Sequence, residues 1–150
     1  MTGVCSARNV DMIRSLGADR AIDYGTTDFA AEKASYDILI DNVGNRSLAE
    51  CRRVLARTGA YVVVGGSTKG NVLGALKRLA ASKVAFSIRS QRAIPMLASL
   101  NEADLRTLHD MMASGALTSV IDRAYPLAEG VEAFRHLATG HARGKIIVTP

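Results

Sequence analysis

Tryptophan is absent from the 150 residues, and aromatic side chains make up only 5% of them. Stacking platforms for single-stranded nucleic acid are therefore scarce. There are two cysteines, Cys5 and Cys51, without C-x-x-C spacing. That disfavours both a disulfide framework and a thiolate zinc cluster, and makes reduced thiols in a cytoplasmic setting the expectation. No apolar run approaches the roughly 20 residues needed to span a bilayer. The stretch Met1 to Ser6 has no basic region followed by an apolar core, so neither a membrane anchor nor a secretory leader is expected. No G-x-G-x-x-G, G-x-S-x-G or H-E-x-x-H occurs, and the glycine-rich stretch 65–71 lacks the Lys-Ser/Thr of a triphosphate loop. His109, His136 and His141 have no carboxylate or cysteine at ligand spacing, so no metal is expected.

What is present has the balance of an ordinary globular chain, 48% apolar and 22% charged, with a length that suits one domain. Net charge is +5. A basic balance can serve phosphate-bearing partners, but the cationic residues are scattered. The tightest group is Arg52 and Arg53 with Arg57, and nucleic acid is not an expected partner.

Short β-branched runs alternate with helix-like segments. Strands are expected at Thr2 to Cys5, Arg20 to Tyr24, Tyr36 to Val43, Ala60 to Val64, Lys83 to Ile88, Ser119 to Ala124 and Gly144 to Val148. Helices are expected from Ala7 to Leu16, from Ser47 through Leu55 with Gly59 as its stop, from Val72 to Ala81, Ile94 to Leu100 and Ala103 to Ser114, and around Leu127, Val131 and Phe134. A single helical turn is expected at Phe29 to Lys33. Ser47 and Glu50 have capping-box spacing, and Asn101 can cap the helix that follows it. Alternation of this kind implies α/β architecture with a parallel sheet, which takes ligands at the carboxyl ends of its strands.

Several segments carry a resemblance in order along the chain. They are Val4 to Asn9, Leu16 to Asp19, Ala21 to Tyr24, Tyr36 to Gly44, Gly59 to Gly66, Tyr125-Pro126-Leu127, Glu132 to Arg135 and Gly140 to Lys145. Together they resemble the C-terminal half of a medium-chain dehydrogenase/reductase, of the quinone oxidoreductase-like branch often described as zinc-binding dehydrogenase or NAD(P)-dependent alcohol dehydrogenase. The resemblance implies a Rossmann-like, doubly wound parallel sheet. It is expected to be incomplete: the first strand, glycine-rich loop and first helix have no counterpart in these residues. Residues 1–117 are expected to be a partial dinucleotide-binding domain. Residues 118–150 are expected to be a C-terminal segment of a catalytic domain that these residues do not otherwise supply.

In such a fold an acid after the second strand selects NAD, whereas a hydroxyl with a cation accommodates the extra phosphate of NADP. Here Ser6 and Arg8 follow the strand, and the first acid is Asp11. By itself this pair reads equally as a plain helix start with an exposed arginine; the resemblance favours NADP (NADPH). The resemblance further implies cofactor contacts at Tyr24 and Asn45, at Val63, Val64, Gly65 and Gly66 by the nicotinamide, at Ser87, Ile88 and Arg89 by the carboxamide, and at Arg143 and Lys145 near the phosphates. It implies no catalytic residue and no zinc ligand within the chain.

The implied activity is hydride transfer, with NADPH, to or from a small carbonyl, quinone or enone. A homo-oligomer is expected through the outer sheet strand, assigned here to Lys83 to Ile88. The 150 residues alone are expected to be inactive, and the alternative is a truncated, non-catalytic binding or oligomerisation module. The strand at Val4 and the strand at Ile38 to Ile40 are each expected to lack a neighbour on one side.

Overall fold

The computed structural model describes residues 1–33, 35–64, 72–87, 90–96, 99 and 101–150. Along the chain run β1 (Thr2–Cys5), α1 (Val10–Ser15), β2 (Arg20–Asp23), β3 (Tyr36–Asp41), α2 (Leu48–Arg53), β4 (Leu55–Val63), α3 (Val72–Ser87), β5 (Arg92–Pro95), α4 (Glu102–Ala113), β6 (Ile121–Pro126), α5 (Gly130–Ala138) and β7 (Lys145–Thr149). Two compact units form. One comprises Met1–Ala21 with Leu100–Pro150, the other Ile22–Ser99. No helix among the described residues is long and apolar enough to cross a membrane.

The architecture is α/β. β3, β4 and β5 form a three-stranded parallel sheet in that order, β6 pairs in parallel with β7, and β1 hydrogen-bonds β2. The expected break is present: among the described residues β1 and β3 belong to different sheets.

In the unit of Ile22–Ser99, register decides which residues are covered. Leu39, Tyr61 and Ala93 lie side by side across the three strands. They pack with Cys51 of α2 and Phe86 of α3 in the main apolar cluster. Tyr61 stacks on Phe86, ring centroids 4.8 Å apart and nearly parallel. The neighbouring register positions, Ile38 with Ala60 and Ile40 with Val62 and Ile94, face the other way. Ile38 and Ile40 remain 62% and 63% exposed, so this sheet has one packed and one open apolar face.

Local capping follows the expected chemistry. The Ser47 hydroxyl accepts from the Glu50 amide, and the Glu50 carboxylate accepts from the Ser47 amide and hydroxyl. Arg46 adds ion pairs to Asp28 (3.0 Å) and Glu50 (3.5 Å), which tie the turn Phe29–Ala31 to α2. The Asn101 side chain accepts from the Asp104 amide at the start of α4, and Gly115, at φ 77°, ends it.

Three expectations are corrected. Lys83 to Ser87 is the last part of α3 and not a strand. Among its described side chains Ser82 and Phe86 are buried and four apart, the helical interval, whereas Lys83, Val84 and Ser87 are exposed. The outer strand of this sheet is β5, so Ile94 and Pro95 are strand and not helix. Pro95 argues against a strand in sequence, yet an edge strand tolerates it. Finally, α2 ends at Arg53, and Leu55 and Gly59 belong to β4. The Tyr36 amide donates to the Val54 carbonyl, and Leu55 pairs with Tyr36, which draws the chain into the sheet one turn early.

Candidate functional site: strand ends and an arginine pair

The turn after β1 is built from Ser6, Arg8 and Asn9. Ser6 starts the short turn Ala7–Asn9 in extended conformation, and its hydroxyl makes no capping bond. The Asn9 amide donates to the Ser6 carbonyl at 2.9 Å. The Arg8 guanidinium is exposed and donates through Nη2 to the His141 carbonyl at 3.0 Å. Arg143 answers from the far end of the sequence: Nη2 donates to the Arg8 carbonyl at 2.8 Å and Nε to Asn9 Oδ1 at 3.2 Å. The first acid of this region, Asp11, is directed to Arg14 one helical turn on, at 3.7 Å. At the carboxyl end of β1 the Arg143 guanidinium thus bonds the backbone of Arg8 and the side chain of Asn9, and the Arg8 guanidinium bonds the segment that carries Arg143. Lys145 opens β7 with its side chain exposed, and its amide donates to the Val120 carbonyl at 2.7 Å.

In the other unit the carboxyl ends of β3, β4 and β5 are drawn together. The Val64 amide donates to the Asp41 carbonyl at 3.1 Å, and the Met96 amide to the Val63 carbonyl at 2.9 Å. Val63 is buried and Val64 is 41% exposed. Asp41 organises the loop beyond β3. One carboxylate oxygen accepts from the Val43 and Gly44 amides, at 3.1 and 2.7 Å. The other accepts from the Tyr61 hydroxyl at 2.6 Å. Gly44 adopts φ 69°, where a side chain would be strained, and the exposed Asn45 follows it. Tyr24 is exposed on the turn after β2, where Asp23 Oδ1 accepts from the Gly25 amide.

Ser6, Arg8, Arg143 and Lys145 thus lie in one unit, and Tyr24, Asn45, Val63, Val64 and Ser87 in the other. Ser87 is an exposed residue at the end of α3, its hydroxyl donating to the Val84 carbonyl, and not a strand end. Gly65, Gly66, Ile88 and Arg89 lie outside the described residues. Asn9, His141, Asp41 and Tyr61 were given no role by sequence reasoning. A carboxylate three residues before a glycine, in Asp41-Asn42-Val43-Gly44, is a local signal for Asp41; nothing local signals the Asn9 and His141 contacts.

The family model described as zinc-binding dehydrogenase matches residues 16–148. The chain belongs to this family. Its members in the medium-chain dehydrogenase/reductase group are NAD(P)-dependent oxidoreductases. The chain is 30% identical over its whole length to a chloroplastic quinone oxidoreductase of Triphysaria versicolor, spanning 45% of that protein. It is 35% identical over 99% of its length to a trans-enoyl reductase of Aspergillus terreus, spanning 44% of it. Among solved structures, the quinone oxidoreductase from Coxiella burnetii matches with TM-score 0.78 and 28% identity, over 99% of this chain and 44% of that one. The chain therefore spans somewhat under half the length of the relatives it matches.

The family's description names zinc. Among the described residues no three or more His, Cys, Asp or Glu side chains group together as a metal site would require, and no step through zinc is derived for them.

Proposed function

We propose that the chain is the nucleotide-binding portion of an NADPH-dependent oxidoreductase that transfers hydride to or from a small carbonyl, quinone or enone. The observation that carries the reading is the meeting of Arg8 and Arg143 at the carboxyl end of β1. A guanidinium offers paired, planar donors that match a phosphate. Ser6 adds a hydroxyl that no cap consumes, and Asp11, which would repel the anion, is turned to Arg14. The donor set suits the 2′-phosphate of NADP better than a bare ribose.

In this reading Ser6 and Arg8 hold the adenosine phosphate, with Arg143 and Lys145 adding positive charge. Tyr24 and Asn45 flank the adenosine half. Val63, Val64, Gly65 and Gly66 border the nicotinamide, and Ile88 and Arg89 the carboxamide; Ser87, which ends α3, is not part of that reading. The bound nicotinamide supplies the hydride chemistry; the protein supplies binding and orientation. Residues 1–117 act as the dinucleotide-binding part and 118–150 as the C-terminal segment of a catalytic domain. Self-association through the outer strand β5, and a cytoplasmic location, belong to the same reading. Nucleic acid and membrane are not partners in it.

The test is NADPH oxidation with a panel of quinones and enones. The chain joined to the N-terminal portion of the Coxiella burnetii relative should turn over with NADPH in preference to NADH. Residues 1–150 alone should be inert, because well-oriented reactants can account for about 7–11 kcal/mol of barrier lowering and the chain spans under half the length of the relatives it matches. Comparable turnover by the short chain would overturn that part.

A further inference from the structure

The tightest cationic group of the sequence, Arg52 and Arg53 with Arg57, has no part in the nucleotide site, and the fold enlarges it. Gln91, buried at the head of β5, donates through Nε2 to the Arg52 carbonyl at 3.2 Å and to the Ala56 carbonyl at 3.0 Å. These two carbonyls belong to the peptide groups that lead into Arg53 and Arg57, and Arg92 follows Gln91. One side chain thus gathers Arg52, Arg53, Arg57 and Arg92 at the amino ends of β4 and β5. That is the opposite end of the parallel sheet from Asp41, Val63 and Met96.

Register sets Arg57 outward. Tyr36 pairs with Leu55 but Ile38 pairs with Ala60, so Ala56 to Gly59 bulge opposite Asp37. Gly59 lets the bulge close, since a Cβ there would lie 3.0 Å from the Tyr36 carbonyl oxygen. Arg53, Arg57 and Arg92 are exposed. Among the described residues none of the four arginines makes an ion pair. Glu50, the nearest acid in sequence, is held by Ser47 and Arg46. Asp37 is exposed and bonded to none of the four. Arg52 Nε and Gln91 Oε1 are buried without a partner among the described residues, and both belong to this junction; such orphans are uncommon. Arginines in the last turn of a helix offset its carbonyl dipole, but Arg57 and Arg92 lie outside α2.

We propose that the amino ends of β4 and β5 form a second anion site, built from Arg52, Arg53, Arg57 and Arg92, that takes a multiply charged phosphate group. Guanidinium forks bond phosphate oxygens in pairs. Several cations held together without counter-charge favour a compact, multiply charged anion over a single carboxylate. Tyr36, which pairs with Leu55 beside the bulge, packs into the apolar cluster, so recognition is of the phosphates and not of a base. The site is independent of the reading of Ser6 and Arg8.

The experiment is an amide NMR titration of the 150-residue chain with inorganic tripolyphosphate, with ATP and with a hexaglutamate peptide. Affinity is read separately from the amides of Arg53, Arg57 and Arg92 and from those of Ser6 to Asn9. Tripolyphosphate should move the first set and saturate; ATP should bind there no more tightly, and hexaglutamate more weakly. Arg57→Ala and Arg92→Ala should each weaken tripolyphosphate at this end by about tenfold, the scale of one hydrogen bond to a charged group, with melting temperature unchanged. Arg57→Lys should recover only part of the loss, and Arg8→Ala should leave this end unaffected. Full affinity in Arg57→Lys would reduce the site to a diffuse field and overturn the proposal. Shifts confined to Ser6 to Asn9 would overturn it too. Tighter binding of hexaglutamate would overturn it in favour of a dock for an acidic protein segment, and much tighter binding of ATP would overturn recognition by phosphate alone. Each of these failures leaves the NADP preference of the other site untouched.

Discussion

The hydroxyl of Tyr61 donates to the carboxylate of Asp41 at 2.6 Å, at the point where β3 gives way to the loop that carries Asn45. The pair joins the core to the loop: Tyr61 is buried and stacked on Phe86, while the second oxygen of Asp41 holds the Val43 and Gly44 amides. Tyr61→Phe keeps the ring and removes the bond. A hydrogen bond to a charged group contributes about 1.5–3 kcal/mol, and a loss of that order is expected in chemical denaturation. Amide exchange at Val43 and Gly44 should quicken. Unchanged exchange there would show that Asp41 holds the loop without Tyr61.

The capping box at α2 has a pH signature. Hydrogen bonds from Ser47, and to a smaller degree the nearby Arg46 and Arg53, hold the Glu50 carboxyl below its ordinary value. A carboxyl depressed in the folded state stabilises the fold above its unfolded pKa, and that stabilisation is lost as pH falls through the folded one. Ser47→Ala should cost about 1 kcal/mol at neutral pH. The gap between variant and wild type should narrow as the pH is lowered below about 4.5. Thermal melts across that range check it; a gap independent of pH would contradict the reciprocal arrangement.

Gln91 supports the same region from beneath. Its Nε2 donates to the carbonyls of Arg52, Leu55 and Ala56, at 3.2, 3.3 and 3.0 Å, from a buried position. These carbonyls span the last turn of α2 and the first residues of β4. Gln91→Leu removes the donor and leaves the carbonyls inside the fold, at an expected cost of about 2–3 kcal/mol. Urea denaturation measures it. A neutral result would show that this junction relaxes to reach water.

The open face of the β3–β4–β5 sheet predicts association. Ile38 and Ile40 stand exposed in adjacent register positions, with Ile94 beside them at 43%. Contiguous apolar surface of this kind draws partners or aggregates. Ile38→Thr with Ile40→Thr keeps β-branching and should shift the 150-residue chain toward monomer in sedimentation velocity. Unchanged self-association would place the sticky surface elsewhere.

Legibility in the sequence followed range. The Ser47–Glu50 box and the Asn101 cap are contained within four residues, and both are found where the spacing puts them. The strands Tyr36–Asp41 and Lys145–Thr149 are equally local. Lys83 to Ile88 misled because a short apolar run fits a strand or a buried helix; the interval between Ser82 and Phe86 was the better guide. The α2 stop misled because Leu55 keeps the helical interval from Cys51 and yet is claimed by Tyr36 of β3. Of the candidate site, the order of motifs gave Ser6 and Arg8 a role. The latch of Arg143 on Asn9 and the bond of Tyr61 to Asp41 depend on chain return and register, which spacing does not encode.

The central claim is that the turn after β1 receives the 2′-phosphate of NADP. The direct measurement is calorimetric titration of NADP and of NAD into the 150-residue chain and its Arg8→Ala variant. NADP should bind more tightly than NAD, and Arg8→Ala should weaken NADP by about 1.5–3 kcal/mol while scarcely touching NAD. Equal or tighter binding of NAD, with Arg8→Ala without effect on either, would contradict the account.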